Sequence, residues 1–371
     1  MLQNMRGQLL LLSTRSMRDY AARVAHQLET FPDFHARHRR ENYVGELRPV
    51  QFADGEVEVE LQSSVRGRDV FLFAQAGRNS QGLSVEQNKL ELYHSIDSIR
   101  RAQPQRITLF ETYCSASRSD RTTRRNSVGF WIHYKTLTSL GVDHIITYQL
   151  HSDKSKTVVD PRVCAMDDVP AIPLLQEYIA DNFIGSTEVL TDYVQNQWLF
   201  CSVDAGGEGI AKKFARAFGT HLVIAHKQRD YHKANTIEST TILTDSSLKG
   251  KEVWIVDDMI DTGGSIYTLT QELKKREVSK IHIAVIHPVL SGPAIDRLCW
   301  LYDNGLLDTI LVTDTLDVSE EFKRRLPALH VVSSARLSAE LIMRINEEKT
   351  LSPFFEDFYA RPHLSSPRLF M

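Results

Sequence analysis

Acids, glycines and hydroxyl side chains follow a run of apolar residues between Val253 and Ser265. The sequence VWIVDDMIDTGGS predicts a buried strand that comes to the surface at Asp257 and Asp258. Carboxylates in that position can bind the hydroxyls of a ribose, directly or through Mg2+. The segment therefore predicts a sugar-binding site, and an ordinary strand-to-helix turn with exposed acids is the alternative.

A phosphate-binding turn is predicted directly after these two acids. Asp261, Thr262, Gly263, Gly264 and Ser265 lead into the next helix, where backbone N–H groups and the helix dipole favour an anion. Together, the acids and the turn predict a site for a ribose phosphate.

An acid-glycine-acid turn beside an aromatic residue is a candidate nucleobase site. Phe52, Asp54 and Glu56 precede an alternating strand over residues 57–61. The ring can stack on a base, and the carboxylates can accept from an amino group or a sugar. Asp-Gly is also a common hairpin turn, so a structural role is the alternative.

A cluster of arginines is a candidate triphosphate site. Arg118, Asp120 and Arg121, followed by Arg124 and Arg125, place four guanidinium groups within eight residues. Guanidinium forks bind phosphate oxygens bidentately. A solvated run of charges is the alternative.

Four further residues are predicted where strands end. His151 and Asp204 each follow a strand, and ligands of doubly wound sheets bind at the carboxyl ends of strands, so these two residues are predicted to hold a divalent metal. Lys227 and Arg229 begin a polar stretch to Ser239 that is predicted to be a mobile loop. Their charges could neutralise a triphosphate during phosphoryl-type transfer. A structural histidine and a basic surface loop are the respective alternatives.

Length and composition indicate an ordinary globular protein. The 371 residues suffice for two domains with separate cores, and the net charge of −3 gives no reason to expect a nucleic-acid partner. Four widely spaced cysteines without a CxxC pair predict reduced thiols. The apolar run over residues 8–12 is too short to span a bilayer. We therefore expect a cytoplasmic protein with no membrane partner.

Short apolar runs alternate with helical patterns along the chain, which predicts an α/β fold of mainly parallel sheets flanked by helices. The predicted strands cover residues 8–12, 57–61, 69–74, 106–111, 144–149, 198–202, 221–225, 252–256, 281–286 and 309–313. The predicted helices cover residues 16–29, 85–102, 128–140, 171–182, 206–217, 264–276, 292–302 and 335–346. The alternation restarts near residue 170. We therefore predict an N-terminal domain over residues 1–169, with residues 338–371 packing back on it, and a C-terminal domain over residues 170–337.

A series of motifs resembles those of the ribose-phosphate pyrophosphokinases, the synthetases of phosphoribosyl pyrophosphate. In chain order they are FADGE, VRGRDVF, RSDR, GVDHIITYQLH, VDAGG, HKQR, VDDMIDTGGS and HPVLSG, within a resemblance that runs from about residue 8 to residue 350. The resemblance implies two similar phosphoribosyltransferase-type domains, an N-terminal one that binds ATP and a C-terminal one that binds ribose phosphate. It also implies a role in nucleotide biosynthesis and a homo-oligomer built from dimers.

The chemistry implied by this resemblance is transfer of the β,γ-pyrophosphoryl group of Mg-ATP to the C1 hydroxyl of ribose 5-phosphate, with release of AMP. Lys227 and Arg229 match the catalytic pair of the family, and His151 and Asp204 match its metal-binding positions. The matching ATP-binding residues are Phe52, Asp54, Glu56, Arg118, Asp120 and Arg121, and the matching ribose-phosphate-binding residues are Asp257, Asp258, Asp261, Thr262, Gly263, Gly264 and Ser265.

The sequence also departs from the family pattern. Gln51 stands where the family usually has Arg, Ser115 lies where aromatic and glycine residues are usual, and residues 152–159 replace a segment that helps to form subunit contacts. Two alternatives follow: the same transfer to ADP-ribose in a pathway that rebuilds NAD, and a non-catalytic regulatory subunit. A phosphoribosyltransferase would share the Asp257 segment but would not need an ATP-binding half.

Overall fold

The computed structural model describes residues 6–34, 42–77, 81–122, 125–184, 188–229 and 237–360. The chain divides into two compact units. The first consists of Met1–Pro170, Thr315–Asp317 and Ser333–Phe355, and the second of Ala171–Asp314, Val318–Val332 and Glu356–Met371.

The first unit contains one parallel sheet and one hairpin. Its strands are β1 (Leu9–Ser13), β2 (Leu47–Gln51), β3 (Val57–Leu61), β4 (Asp69–Phe73), β5 (Arg106–Glu111), β6 (His144–Tyr148) and β7 (Ala165–Val169). Five of them form a sheet in the order β1-β4-β5-β6-β7, while β2 and β3 pair as an antiparallel hairpin. Strands β4 and β6 are buried along their whole length, as expected for parallel strands covered on both faces.

Helices cover this sheet. They are α1 (Arg18–Glu29), α2 (Val85–Arg101), α3 (Gly129–Leu140) and, from the C-terminal part of the chain, α10 (Ala335–Asn346). Helix α2 begins at a capping box, in which Ser84 and Gln87 each bind the backbone N–H of the other. The apolar faces of α2 and α3 supply Leu92, Ile96 and Tyr134 to the core.

The second unit contains a larger sheet with one antiparallel edge. Its strands are β8 (Trp198–Ser202), β9 (His221–Arg229), β10 (Ile237–Leu243), β11 (Glu252–Ile260), β12 (Lys280–Pro288), β13 (Thr309–Thr313) and β14 (Leu329–Val332). Their order is β10-β9-β8-β11-β12-β13-β14, and only the β10–β9 pair is antiparallel among these described strands. Strand β11 therefore lies in the centre of the sheet.

Six helices belong to the described part of this unit. They are α4 (Ile172–Ile179), α5 (Glu188–Gln197), α6 (Glu208–Phe218), α7 (Gly264–Lys275), α8 (Ala294–Asp303) and α9 (Glu320–Arg325). Helix α4 continues as a π-helical turn over Ala180–Ile184, which ends two residues beyond the helix predicted over residues 171–182. Among the described helices, none combines the length and the apolar character that crossing a bilayer requires.

The predicted fold class is confirmed, and the strands that the sequence did not predict lie at edges. Strands β7, β10 and β14 are outer strands of the two sheets, and β2 belongs to the hairpin. Such strands tolerate polar residues and proline because one side of the strand lacks a neighbour. The acids of β7 and Pro49 in β2 are examples.

The C-terminal segment differs from the predicted domain division. Residues 356–360 belong to the second unit, where Asp357 pairs with Arg216 at 3.2 Å and Phe358 contacts Phe218 with ring centroids 6.5 Å apart. These residues thus group with the second unit, whereas the sequence analysis expected the segment from residue 338 to pack on the first. Residues 361–371, expected as a loosely held end, lie outside the described residues.

Candidate functional site

The central strand of the second unit holds the two adjacent acids. Strand β11 was predicted to end at residue 256, but it extends to Ile260. Asp257 and Asp258 therefore lie within the strand and do not follow it. It extends because β12 continues beside it, pairing Asp257 with Val285 and Ile260 with Pro288, after its pairing with β8 has ended at Val256. Asp258 is buried and Asp257 is half-buried.

The two acids share their surroundings with Asp204. Burial, followed by the charges of Asp258 and Asp204, raises the pKa of Asp257 well above its usual range. Asp204 lies at the end of β8, where its Oδ1 accepts from the N–H groups of Gly206 and Gly207 at 2.9 and 3.3 Å. A Cβ on Gly207 would lie 3.3 Å from Asp257 Oδ1, so the glycine allows close approach of the two segments. The site therefore concentrates negative charge.

This concentration of carboxylates suits a hydrated divalent cation. Within the described ranges, no group of three or more His, Cys, Asp or Glu side chains is arranged to hold a metal ion by itself. Mg2+ is usually bound through one or two carboxylates together with water and substrate phosphates, and does not need a cage of protein ligands. A cation would also relieve the repulsion between Asp204 and Asp257. The residues of the second unit thus fit Mg2+.

The predicted phosphate turn has the backbone geometry of an anion site. Gly263 adopts a left-handed conformation with φ +69° and forms the N-cap of α7. The N–H groups at the cap and in the first turn have no partner within the helix, and the helix dipole places positive potential there. The first intrahelical bond runs from Tyr267 N to Gly263 O at 2.9 Å. We name Asp261–Ser265 the phosphate loop.

A second segment contacts the phosphate loop from one side. Leu290 N and Ser291 N donate to the carbonyls of Ile260 and Asp261, both at 2.9 Å. Arg297, on α8, donates from Nη1 to the carbonyl of Thr262 at 2.8 Å. The HPVLSG motif signalled the first part of this segment, but a single arginine on a helix surface gave no sequence signal for Arg297.

The predicted nucleobase residues lie on an exposed hairpin of the first unit. Phe52 is 49% exposed, and its N–H donates to the carbonyl of Glu56 at 2.9 Å across the turn between β2 and β3. Asp54 accepts from Glu56 N at 3.1 Å, and Gly55 has φ +97°. Asp54 therefore has a structural role in the turn, while the ring of Phe52 is accessible to a ligand.

The arginine segment follows the central strand of the first unit. Arg118 and Arg121 are exposed, whereas Asp120 accepts from Ser155 Oγ at 3.4 Å. Ser119 Oγ accepts from Gly129 N at 3.0 Å and so joins the segment to the start of α3. Of the two further arginines, Arg125 is exposed and Arg124 lies outside the described residues.

A buried polar cluster lies at the end of β5, where the arginine segment begins. Glu111 accepts from Tyr134 Oη at 2.9 Å and pairs with His133 Nε2 at 2.9 Å. Tyr93 Oη lies 2.8 Å from His133 Nδ1. The cluster joins β5 to helices α2 and α3, and the sequence analysis did not identify it because its members come from three separate elements.

His151 is an exposed residue that follows β6 in the first unit. Gln149, two residues earlier, has the left-handed φ of +45°, and Leu150 N donates to Asp168 Oδ1 at 2.9 Å. A left-handed conformation is uncommon for a residue other than glycine and is found preferentially at functional sites. Its metal-binding role stays a prediction.

Lys227 and Arg229 lie at the end of β9. Their side chains, and residues 230–236 of the predicted mobile loop, lie outside the described residues. The last part of that predicted loop is instead strand, because β10 begins at Ile237 and pairs with β9. The catalytic role of the two residues stays a prediction.

Comparisons with known families match both units. Residues 9–141 match the N-terminal domain of ribose phosphate pyrophosphokinase, and residues 179–301 match the phosphoribosyl transferase domain. Ribose-phosphate pyrophosphokinase 1 of Streptococcus agalactiae is 31% identical over 315 residues, which cover 84% of this chain and 90% of the relative. The ribose-phosphate pyrophosphokinase of Chlorobaculum tepidum is 32% identical over 311 residues, which cover 82% of this chain and 85% of the relative.

A solved structure gives the same result for the fold. The phosphoribosylpyrophosphate synthetase of Mycobacterium smegmatis superposes with a TM-score of 0.75 at 28% identity, over 92% of this chain and 99% of that one. The similarity therefore extends over both units.

Proposed function

Because the chain belongs to the family of ribose-phosphate pyrophosphokinases, we propose that it transfers the β,γ-pyrophosphoryl group of Mg-ATP to the C1 hydroxyl of ribose 5-phosphate, giving phosphoribosyl pyrophosphate and AMP. The observation that carries the proposal is the phosphate loop at the N-terminus of α7, directly after the adjacent acids of β11. In a ribose phosphate, one ester bond joins the phosphate to the sugar. Its binding site therefore needs an anion site close to groups that accept hydrogen bonds from the ribose hydroxyls.

In this proposal, the second unit binds the acceptor. The 5-phosphate lies on the N–H groups of the phosphate loop, with the hydroxyls of Thr262 and Ser265 as further donors. The carboxylates of Asp257 and Asp258 accept from the ribose hydroxyls, which fixes the sugar relative to its phosphate. Orientation of this kind supplies much of the rate enhancement when a bimolecular transfer becomes effectively unimolecular.

The first unit binds the nucleotide in the same proposal. Phe52 stacks on the adenine, and Asp54 and Glu56 lie beside the base. Arg118 and Arg121 contact phosphate oxygens, for which the planar guanidinium is well suited. The exposure of Phe52, Arg118 and Arg121 supports these roles, since exposed groups are available to a ligand.

Charge neutralisation completes the proposed mechanism. Mg2+, when bound, would neutralise triphosphate oxygens and make the pyrophosphoryl group easier to transfer. His151 and Asp204 are its proposed protein ligands. Lys227 and Arg229 would stabilise the negative charge that develops during transfer, so the C1 hydroxyl needs little help from a protein base.

The test is release of AMP from Mg-ATP with ribose 5-phosphate or ADP-ribose supplied separately, and identification of the products by mass. We expect AMP and phosphoribosyl pyrophosphate with ribose 5-phosphate. Release of ADP would indicate single phosphoryl transfer and would overturn the proposal. Release of AMP with ADP-ribose but not with ribose 5-phosphate would identify ADP-ribose as the acceptor. If neither acceptor gave AMP, the result would favour a regulatory subunit.

A further inference from the structure

Three consecutive carbonyls, at the end of β11 and the start of the phosphate loop, are all bound by one neighbouring segment. The donors to Ile260, Asp261 and Thr262 are Leu290 N, Ser291 N and Arg297 Nη1, at 2.9, 2.9 and 2.8 Å. In a planar trans peptide, the C=O of one residue and the N–H of the next point in opposite directions. The N–H groups of Asp261, Thr262 and Gly263 therefore point away from the segment that binds the carbonyls.

This orientation matters because a phosphate needs several N–H groups aimed at one point. The first two carbonyls are held by backbone donors, which any residue other than proline could supply. The third is held by a side chain, and it belongs to the peptide whose N–H is that of Gly263, the N-cap of α7. The orientation of that peptide thus depends on the residue at position 297.

The second observation is the position of the Arg297 guanidinium beside Gly264. A Cβ built on Gly264 would lie 3.2 Å from Arg297 Nη1 and 3.8 Å from Cζ. Any larger residue at position 264 would press on the guanidinium, so the glycine makes room for it. The positive charge consequently lies beside the first turn of α7, where it adds to the helix dipole.

We propose that Arg297 is the positioning residue of the phosphate loop: it holds the Thr262 carbonyl so that the N–H of Gly263 is directed at the 5-phosphate of the acceptor. The proposal rests on the proposed function, because it makes part of the affinity for a ribose phosphate depend on Arg297. Arg297 is placed behind the loop and is not assigned a contact with the reacting atoms. Its loss is therefore expected to affect binding of the acceptor more than the chemical step.

The experiment compares Arg297→Met, Arg297→Lys and the control Arg276→Met. Met removes the donor and the charge, while Lys retains a charge and a donor on a flexible stem. Arg276 is exposed at the other end of α7, about 18 Å along the helix from the phosphate loop, so Arg276→Met removes one charge without touching the loop.

We expect Arg297→Met to raise the KM for ribose 5-phosphate about tenfold, in keeping with loss of one charge-assisted hydrogen bond, with kcat and the KM for ATP within about twofold of the wild type. Arg297→Lys should recover most of the affinity, and Arg276→Met should match the wild type. Calorimetric binding of ribose 5-phosphate in the presence of Mg2+ and α,β-methylene-ATP gives the same comparison without turnover.

Two kinds of failure are distinguishable. A wild-type protein that neither binds nor converts ribose 5-phosphate would overturn the proposed function, and the role of Arg297 with it. A wild-type protein that does both, beside an Arg297→Met variant of unchanged KM and affinity, would overturn the role of Arg297 alone. An equal loss in Arg276→Met would show a general charge effect and would also contradict the proposal.

Discussion

The two units present their candidate binding groups in different ways. In the second unit, the phosphate loop is a stretch of backbone whose carbonyls are bound by a neighbouring segment, and the acids before it lie in the central strand of the sheet. In the first unit, Phe52 and Arg118 are exposed side chains on a hairpin and on a segment after a strand. One site is built mainly from hydrogen-bonded backbone and acids of a central strand, and the other from surface side chains.

This difference has an energetic consequence. Acids held within a strand must tolerate burial and mutual repulsion, as the raised pKa of Asp257 indicates. An exposed aromatic ring adds no such free-energy cost to the folded protein before the ligand binds. Its contribution to ligand binding is smaller, because its surroundings do not hold it in one orientation. We therefore expect substitutions in the second unit to have larger effects on substrate binding than substitutions in the hairpin, and we expect some of them to leave stability unchanged or higher.

The largest effect is predicted for Asp258→Asn. The amide keeps the shape of the buried side chain but removes the charge that the ribose hydroxyls would meet, so the KM for ribose 5-phosphate should rise roughly 100-fold. Removing one of two adjacent charges also reduces the repulsion on Asp257, so the unfolding temperature should be equal or higher. Steady-state kinetics with each substrate varied, and thermal unfolding, check both parts.

The kinetic result for Asp258→Asn also tests which unit binds which substrate. A changed KM for ATP with an unchanged KM for ribose 5-phosphate would reverse the assignment of the two sites. A large fall in unfolding temperature would instead mean that Asp258 is needed for the fold, and the comparison between the units would lose its basis.

A smaller effect is predicted for Phe52→Ala. Stacking of a base on an aromatic ring contributes about 1–3 kcal/mol, so the KM for ATP should rise about tenfold while the KM for ribose 5-phosphate stays the same. Because the ring is 49% exposed, little stability should be lost. Phe52→Tyr, which keeps a ring, is the matched control and should bind ATP normally.

An unchanged KM for ATP in Phe52→Ala would contradict a contact between the hairpin and the base. The turn would then serve only as the connection between β2 and β3, which is the structural alternative that the Asp-Gly sequence allows. Asp54, which accepts from Glu56 N in the turn, fits that alternative as well.

The sequence predicted the groups that lie close together along the chain and missed those that meet only in the fold. The acids, the glycines and the helix start of the second unit lie within thirteen consecutive residues, so a local pattern contained most of the ribose-phosphate site. The carbonyl side of the phosphate loop was not predicted, because Arg297 is more than thirty residues away and meets the loop only in the folded sheet. The Glu111 cluster was not predicted for the same reason.

The predicted elements show a related limit. Apolar runs identify strands that are covered on both faces, and β4, β6, β8 and β13 were predicted for that reason. The edge strand β1 is an apolar run and was predicted as well, whereas the edge strand β14 is half-buried throughout and was not. The extension of β11 beyond Val256 depended on β12, a partner that no local pattern names.

The smallest effect concerns stability, and it compares a buried acid in each unit. Asp69 begins β4 and is fully buried, and burial raises its pKa to about 6 against the opposing effects of Asn346, Arg6, Arg106 and His144. Glu252 begins β11, and neighbouring polar groups lower its pKa to about 2. The largest cause is His282, whose Nε2 lies 3.6 Å from Glu252 Oε2, and hydrogen bonds from Tyr193 and Lys280 add to it, while burial opposes them.

These opposite shifts predict different pH dependences. An acid whose pKa is raised by folding contributes fully below its unfolded pKa, near 4, and its contribution is lost as the pH rises through about 6. Asp69→Asn removes that loss, so the unfolding free energy of this variant relative to the wild type should increase by about 1 kcal/mol between pH 5 and 7.5.

For Glu252, the contribution to stability is present above about pH 4.5 and is lost only toward pH 2. The effect of Glu252→Gln should therefore be destabilising and constant between pH 5 and 7.5. Thermal unfolding of both variants and the wild type at the two pH values measures the difference. A constant effect of Asp69→Asn would mean that Asp69 stays ionised in the folded unit. The predicted change for Asp69→Asn, beside a constant effect of Glu252→Gln, would show that burial controls the pKa of the acid in the first unit and that polar neighbours control the pKa of the acid in the second.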